Sequence, residues 1–122
     1  MKLSVSLPTE SEVESGLLLL LRARHPRPVK TVAAYSELAE SMGITNEQRW
    51  ATRTTPSGRE NAWENRVRWA RFRLVDQGYV VGTAHSKRGF WQLTGAGLNR
   101  AMRLSEFEVG EIVFEEEGLA DF

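Results

Sequence analysis

Apolar residues recur at three- and four-residue spacing through Val13, Leu17, Leu20 and Leu21, the period that lines one face of an α-helix. Thr9-Glu10-Ser11-Glu12 stands before them as a capping box. In such a box the Thr hydroxyl accepts a free backbone N–H, and the Glu three residues on reaches back to the N–H of the capping residue. The helix must end before His25-Pro26-Arg27-Pro28, because proline lacks the N–H that the next turn needs. Val29 to Thr31 suits a short strand. Val32, Ala34 or Tyr35, Leu38 and Met42 then predict a second helix over residues 32–42, with Gly43 in the left-handed closing position. Thr45-Asn46-Glu47-Gln48 repeats the capping-box pattern and opens a helical turn that reaches about Ala51.

Residues 52–58 are rich in Thr, Pro, Ser and Gly and read as a loop. They lead into the longest expected helix, residues 59–77, which Gly78 closes. Tyr79-Val80-Val81 and Phe90-Trp91-Gln92-Leu93 have the composition of strands, and Thr83 to Gly89 joins them as a hairpin with a polar, basic tip. Thr94 caps a last helix to about Leu104. The order is helix, short strand, helix, helix, hairpin, helix. It predicts an α+β, mostly helical winged helix-turn-helix with a two-stranded wing, residues 59–77 standing in the recognition-helix place. The expected domain covers residues 9–104, with an arm over residues 1–8 and an acidic, hydrophobic tail or linker over residues 105–122. Phe107, Val109, Ile112, Val113 and Phe114 alternate with acids in that tail, a pattern that fits a strand, a dimer arm or a linker.

Charge sharpens this picture. The net charge is zero, but residues 1–48 carry −1, residues 49–103 carry +8 and residues 104–122 carry −7. A basic middle followed by an acidic end suggests a polyanion-binding surface with a solvating or self-screening tail. Thirteen of the sixteen basic residues are Arg, whose planar fork suits phosphate and guanine. The chain has no cysteine, which excludes a disulfide framework and thiolate metal sites and fits a cytoplasmic setting. Its longest apolar run, Leu17 to Leu21, falls far short of the roughly 20 residues that span a bilayer, so no membrane association is expected.

The middle of the chain resembles the N-terminal winged-helix domain of Mrr-type restriction proteins. The residues that carry the resemblance are Thr55-Pro56-Ser57-Gly58, Asn65-Arg66-Val67-Arg68-Trp69-Ala70 with Leu74, Gly78-Tyr79, Arg88-Gly89, and Leu93-Thr94 with Gly97. The resemblance covers roughly residues 15–104. It implies a DNA-binding accessory domain that targets a nuclease, and related winged helices on modification-dependent restriction enzymes read methylated bases. Mrr-type proteins carry their nuclease after this domain, with an acid-x-lysine pair. This chain contains no Asp/Glu-x-Lys, so cleavage is assigned to a separate nuclease domain or subunit and no enzymatic activity is expected.

On the expected long helix, Trp63, Val67, Ala70 and Leu74 share one stripe, while Asn61, Asn65, Arg68 and Phe72 lie on the other side. Asn can pair with adenine N6 and N7, and Arg with guanine O6 and N7. Ser57, Arg59, Asn61, Asn65 and Arg68 are therefore candidate base and phosphate contacts, although exposed helix faces are polar in any case. Arg53 before the helix is a candidate phosphate clamp or turn stabiliser. Lys87 and Arg88 at the wing tip suit the flanking backbone. Trp50 is the candidate reader of a methylated base, whereas Trp69 reads by resemblance as structural and Trp63 as core. His25 and His85 have no metal-ligand spacing. Ser57 lacks His and acid partners, and Gly95-Ala96-Gly97 lacks a phosphate-loop lysine. No cofactor or metal is expected. Double-stranded DNA is the expected partner; the alternatives are a protein-interaction or homodimerising winged helix and a transcriptional regulator.

Overall fold

The computed structural model describes residues 6–82, 85 and 88–104. Helix α1 spans Glu10–Arg24, with both halves of the Thr9/Glu12 capping box formed. Its buried side is Val13, Leu17, Leu18 and Leu21. After β1 (Val29–Lys30), α2 runs over Thr31–Ser41 and buries Ala34, Tyr35, Leu38 and Ala39. The expectation for Val32 fails: it lies in the first turn of α2, 74% exposed. The chain enters α2 directly from β1, where the Thr31 amide donates to the Gly89 carbonyl at 2.9 Å, and the inward stripe then falls on residues 34, 35, 38 and 39. Gly43, at φ 68°, closes α2 as expected, and the Ile44 amide reaches back to the Ala39 carbonyl at 2.9 Å. Helix α3, Asn46–Trp50, carries the second capping box.

The segment expected as a loop is a β-hairpin. Strands β2 (Thr52–Thr55) and β3 (Gly58–Asn61) pair antiparallel, Thr52 opposite Asn61 and Thr55 opposite Gly58, around Pro56-Ser57. Two β-branched threonines flank Arg53, a strand-favouring run, and Thr55 Oγ1 donates to the Gly58 carbonyl at 2.8 Å across the turn. The long helix accordingly starts later than residue 59. Helix α4 spans Ala62–Asp76, with Trp63, Val67, Ala70 and Leu74 buried against α1 and α2. Strand β4 (Phe90–Trp91) pairs antiparallel with β1. The residues that follow it run against the segment after α4, through the Val80–Leu93 bridge and a 2.9 Å bond from the Val81 amide to the Gln92 carbonyl. This is the base of the expected two-stranded wing. The fold is α+β, mostly helical and winged-helix-like, and no helix among the described residues is long and apolar enough to cross a membrane.

A last helix, α5, covers residues 95–104. Thr94 Oγ1 accepts the Gly97 amide at 3.0 Å and donates to the Gly78 carbonyl at 2.6 Å, while the Thr94 amide donates to the Tyr79 carbonyl. One residue thus caps α5 and ties it to the turn after α4. Gly97 sits so close to that turn that an added Cβ would lie 1.9 Å from the Tyr79 carbonyl oxygen, whereas nothing lies within 4 Å of one added at Gly95. Gly97→Ala is therefore expected to force backbone apart at a cost of about 1–3 kcal/mol. In thermal unfolding its Tm should fall by roughly 5–15 °C. Gly95→Ala should unfold at or slightly above the wild-type temperature, since alanine favours the helix. Equal midpoints for the two variants would contradict the close approach.

Candidate nucleic-acid interface

With Trp63, Val67, Ala70 and Leu74 turned inward, the helical period sends Asn65, Arg68, Trp69 and Phe72 to the outer face of α4. The β2–β3 hairpin feeds directly into this helix and packs beside it. Side chains join the two elements. Arg53 Nη1 on β2 donates to Asn65 Oδ1 on α4 at 2.7 Å and lies 3.3 Å from Glu60 Oε2 on β3; Arg68 Nη2 lies 3.5 Å from the other oxygen of the same carboxylate. Glu60 thereby holds two guanidinium groups at one surface. Arg53 and Arg68 are both about half exposed, and ion pairs in that setting contribute about 0–1 kcal/mol to stability. Their effect is to fix where two forked cations point, with further N–H donors left for an acceptor.

Other candidate residues separate into three groups. Ser57 and Arg59 are exposed on the hairpin, Ser57 Oγ within 3.3 Å of Thr55 Oγ1 and Arg59 without a partner among the described residues. Arg88 is exposed where the wing returns to β4, also without a partner among the described residues, and Lys87 lies outside those residues. Asn61 is a correction. It is not one helical turn before Asn65 on an exposed face but the N-cap of α4: Asn61 Oδ1 accepts the Glu64 amide at 2.9 Å, and its Nδ2 donates to the Arg49 carbonyl at 2.9 Å. Both ends of its amide are engaged inside the protein. The hairpin ends at Asn61, so residues 59–61 have strand geometry and cannot present side chains at helical spacing.

The tryptophans also divide differently than expected. Trp63 is fully buried and Trp91 nearly so. Trp50 is 63% exposed at the end of α3, with the Arg49 guanidinium 4.3 Å over its ring. Arg49 is itself fixed by Glu64 at 3.1 Å, so one face of the Trp50 ring is covered by a held cation. Trp69, expected as structural, is 50% exposed and packs edge-on against Phe72, centroids 5.3 Å apart, with Phe72 58% exposed. The pair lies on the outward stripe, which the i, i+3 spacing of these two residues beside Arg68 already encodes.

The basic middle segment displays less charge than its sum. Arg49, Arg53, Arg68 and Arg73 are ion-paired, the last to Glu10 and Glu14 of α1, and Arg66 donates to the Pro8 carbonyl at 2.6 Å. Arg71 is partly buried near the Trp91 ring and the Val81 carbonyl. Desolvation lowers its pKa, yet a guanidinium remains charged in a protein. Arg59, Arg88, Arg100 and Arg103 are exposed and without partners among the described residues. Glu60, which joins Arg53 to Arg68, is the residue of this surface that charge counting misses, because an acid in a basic segment reads there only as a subtraction.

The distinction between Asn61 and Asn65 is directly testable. Asn61→Ala should lower stability by about 1 kcal/mol, the usual loss for an N-cap, and thermal unfolding would register it. Asn65→Ala, on the outer face, should leave the midpoint almost unchanged. A stable Asn61→Ala variant would remove the capping role.

The Mrr N-terminal domain family model matches residues 14–103. No curated protein and no solved structure matches the chain. The matched stretch begins within the first turn or so of α1 and takes in α2, α3, the β2–β3 hairpin, α4, β4 and all but the end of α5. The chain belongs to the Mrr N-terminal domain family.

Proposed function

We propose that this domain is the DNA-recognition module of a restriction system, binding double-stranded DNA with the outer face of α4 in the major groove and leaving cleavage to a nuclease domain or subunit. The observation that carries this reading is the network joining Arg53, Glu60, Asn65 and Arg68, which gathers two forked cations and an amide on one exposed face spanning hairpin and helix. Membership of a restriction-associated family supports it. In this reading Asn65 and Arg68 address base edges, since Asn matches adenine and Arg matches guanine in the major groove. Arg53, Ser57 and Arg59 hold the backbone beside them, and Lys87 and Arg88 on the wing reach flanking phosphates. Asn61 acts only through its cap.

Recognition of N6-methyladenine is the finer form of the same proposal. A methyl on N6 leaves one hydrogen for an Asn acceptor and adds an apolar group, which an exposed aromatic ring can cover. Trp50 and Trp69 both offer such a ring. Trp50 is the stiffer of the two, because Arg49 is clamped against it.

Binding to a mixed-sequence duplex, followed by fluorescence anisotropy against salt, tests the proposal. About four to six phosphate contacts give a slope of log K against log salt near −4 to −5. Arg59→Ala with Arg88→Ala should weaken all duplexes alike and flatten the slope by about 2, as loss of phosphate contacts requires. Arg68→Ala should cost roughly 1–3 kcal/mol on the preferred site and less elsewhere. Matched duplexes carrying N6-methyladenine should bind more tightly than unmodified ones, by a ratio that falls in Trp50→Ala. A slope near zero would contradict DNA binding altogether.

A further inference from the structure

The Trp69–Phe72 pair is not explained by contacts within the described fold. Two large aromatic side chains stand half or more exposed on one helix face, in edge-to-face contact with each other. Single exposed apolar residues are ordinary, but a joined aromatic pair beside an exposed arginine is the kind of patch that marks an interaction surface. A phosphate backbone does not satisfy it, because rings of this size gain by covering apolar area. Its partner should combine aromatic or aliphatic side chains with negative charge.

Residues 105–122 of the same chain have that composition. They hold seven acids and no Lys or Arg, with Phe107, Val109, Ile112, Val113 and Phe114 among the acids. Residues 49–103 carry +8, and Arg59, Arg88, Arg100 and Arg103 are exposed without partners among the described residues. Reach does not limit the contact. Eighteen residues beyond Leu104 span up to roughly 60 Å when extended, while a domain of about 100 residues has a radius of gyration of only about 13 Å. A tethered segment also meets its site at an effective concentration near the millimolar range, so a weak contact suffices.

We infer that the acidic, aromatic segment 105–122 docks on the Arg68–Trp69–Phe72 face of α4 and competes there with DNA. The competition rests on the DNA reading given above; the docking does not. A tail that occupies the face part of the time lowers the apparent DNA affinity by the fraction of molecules left open. The factor is the same for every duplex that needs this face, so the tail raises the concentration at which binding begins and leaves the ratio between sites unchanged. The segment would act as a built-in competitor, setting a threshold for binding.

The test uses the full chain in three forms: wild type, Phe107→Ser/Ile112→Ser/Phe114→Ser, and Glu115→Gln/Glu116→Gln/Glu117→Gln, a variant that changes charge and keeps the apolar groups. Amide and indole NMR spectra without DNA report docking. Both variants should shift the resonances of Arg68, Trp69 and Phe72, more than thirty positions away in the sequence, and leave α1 unmoved. Shifts confined to residues near the substitutions would overturn the inference, whatever the chain does with DNA. Anisotropy at low salt reports competition, and both variants should bind a mixed duplex about fivefold to twentyfold more tightly than wild type. Unchanged affinity in both would overturn the competition. Shifts at α4 with no duplex binding by any form would overturn the DNA reading and the competition with it, while supporting the docking.

Discussion

The indole of Trp63 is fully buried one residue into α4, and its N–H donates to the Tyr35 carbonyl on α2 at 3.0 Å. A buried donor left unpaired costs about 1–3 kcal/mol, so this ring can settle only where a carbonyl of α2 meets it. The bond fixes both the height of α4 against α2 and its rotation. Once Trp63 is turned inward, Val67, Ala70 and Leu74 follow by period, and Asn65, Arg68, Trp69 and Phe72 are carried to the outside. Tyr35 holds a second position in the same junction, its ring edge-on to Trp91 at 6.1 Å and its hydroxyl 3.4 Å from Arg68 Nη1. The base of the wing and the outer face of α4 are thus referred to one point in the core.

Around that point the arginines do two kinds of work. Arg49, Arg66, Arg71 and Arg73 hold elements together, bonding to Glu64, to the Pro8 carbonyl, to the Val81 carbonyl and to the acids of α1. Arg53 and Arg68 converge on Glu60 at the surface. A segment sum of +8 cannot distinguish these roles, since a guanidinium bonded to a carbonyl and one aimed at solvent count alike. What separates them is the cover over the guanidinium itself: Arg49 and Arg73 are largely enclosed, whereas Arg53 and Arg68 stay about half exposed.

Much of the fold is written locally. Both capping boxes, the closing glycines Gly43 and Gly78, the inward stripe of α4 and the strand around Trp91 follow from residue type and spacing, and each is present. Membership of the Mrr N-terminal domain family is legible too, from dispersed residues in fixed order. The hairpin over residues 52–61 is where local reading fails. Pro56-Ser57-Gly58 is turn chemistry in either interpretation, and only the pairing of Thr52 with Asn61 decides that the flanks are strands. Because the flanks are strands, α4 starts at Ala62 rather than at residue 59, and Asn61 is its N-cap rather than a residue of its exposed face. Val32 fails for a related reason: helical spacing predicts which residues share a stripe, but the neighbours decide how wide the covered stripe is. Trp69 reads as structural only by resemblance, and its position on α4 already sends it outward, where it stands 50% exposed. Glu60 could not be seen at all, because its role exists only between two arginines that the hairpin and helix bring together.

The face that results is small and mixed, two forked cations, an amide and two aromatic rings on a frame set by Trp63. We propose that this outer face of α4, with the hairpin beside it, meets DNA. The most direct measurement is a titration of isotope-labelled protein with a duplex, followed by NMR amide and side-chain shifts. Perturbation should centre on Arg53, Ser57, Arg59, Asn65, Arg68 and Arg88, with the Asn61 side-chain amide and the Trp63 indole nearly still. Perturbation centred instead on α1 or α5, with the Arg53, Asn65 and Arg68 resonances unmoved, would contradict it.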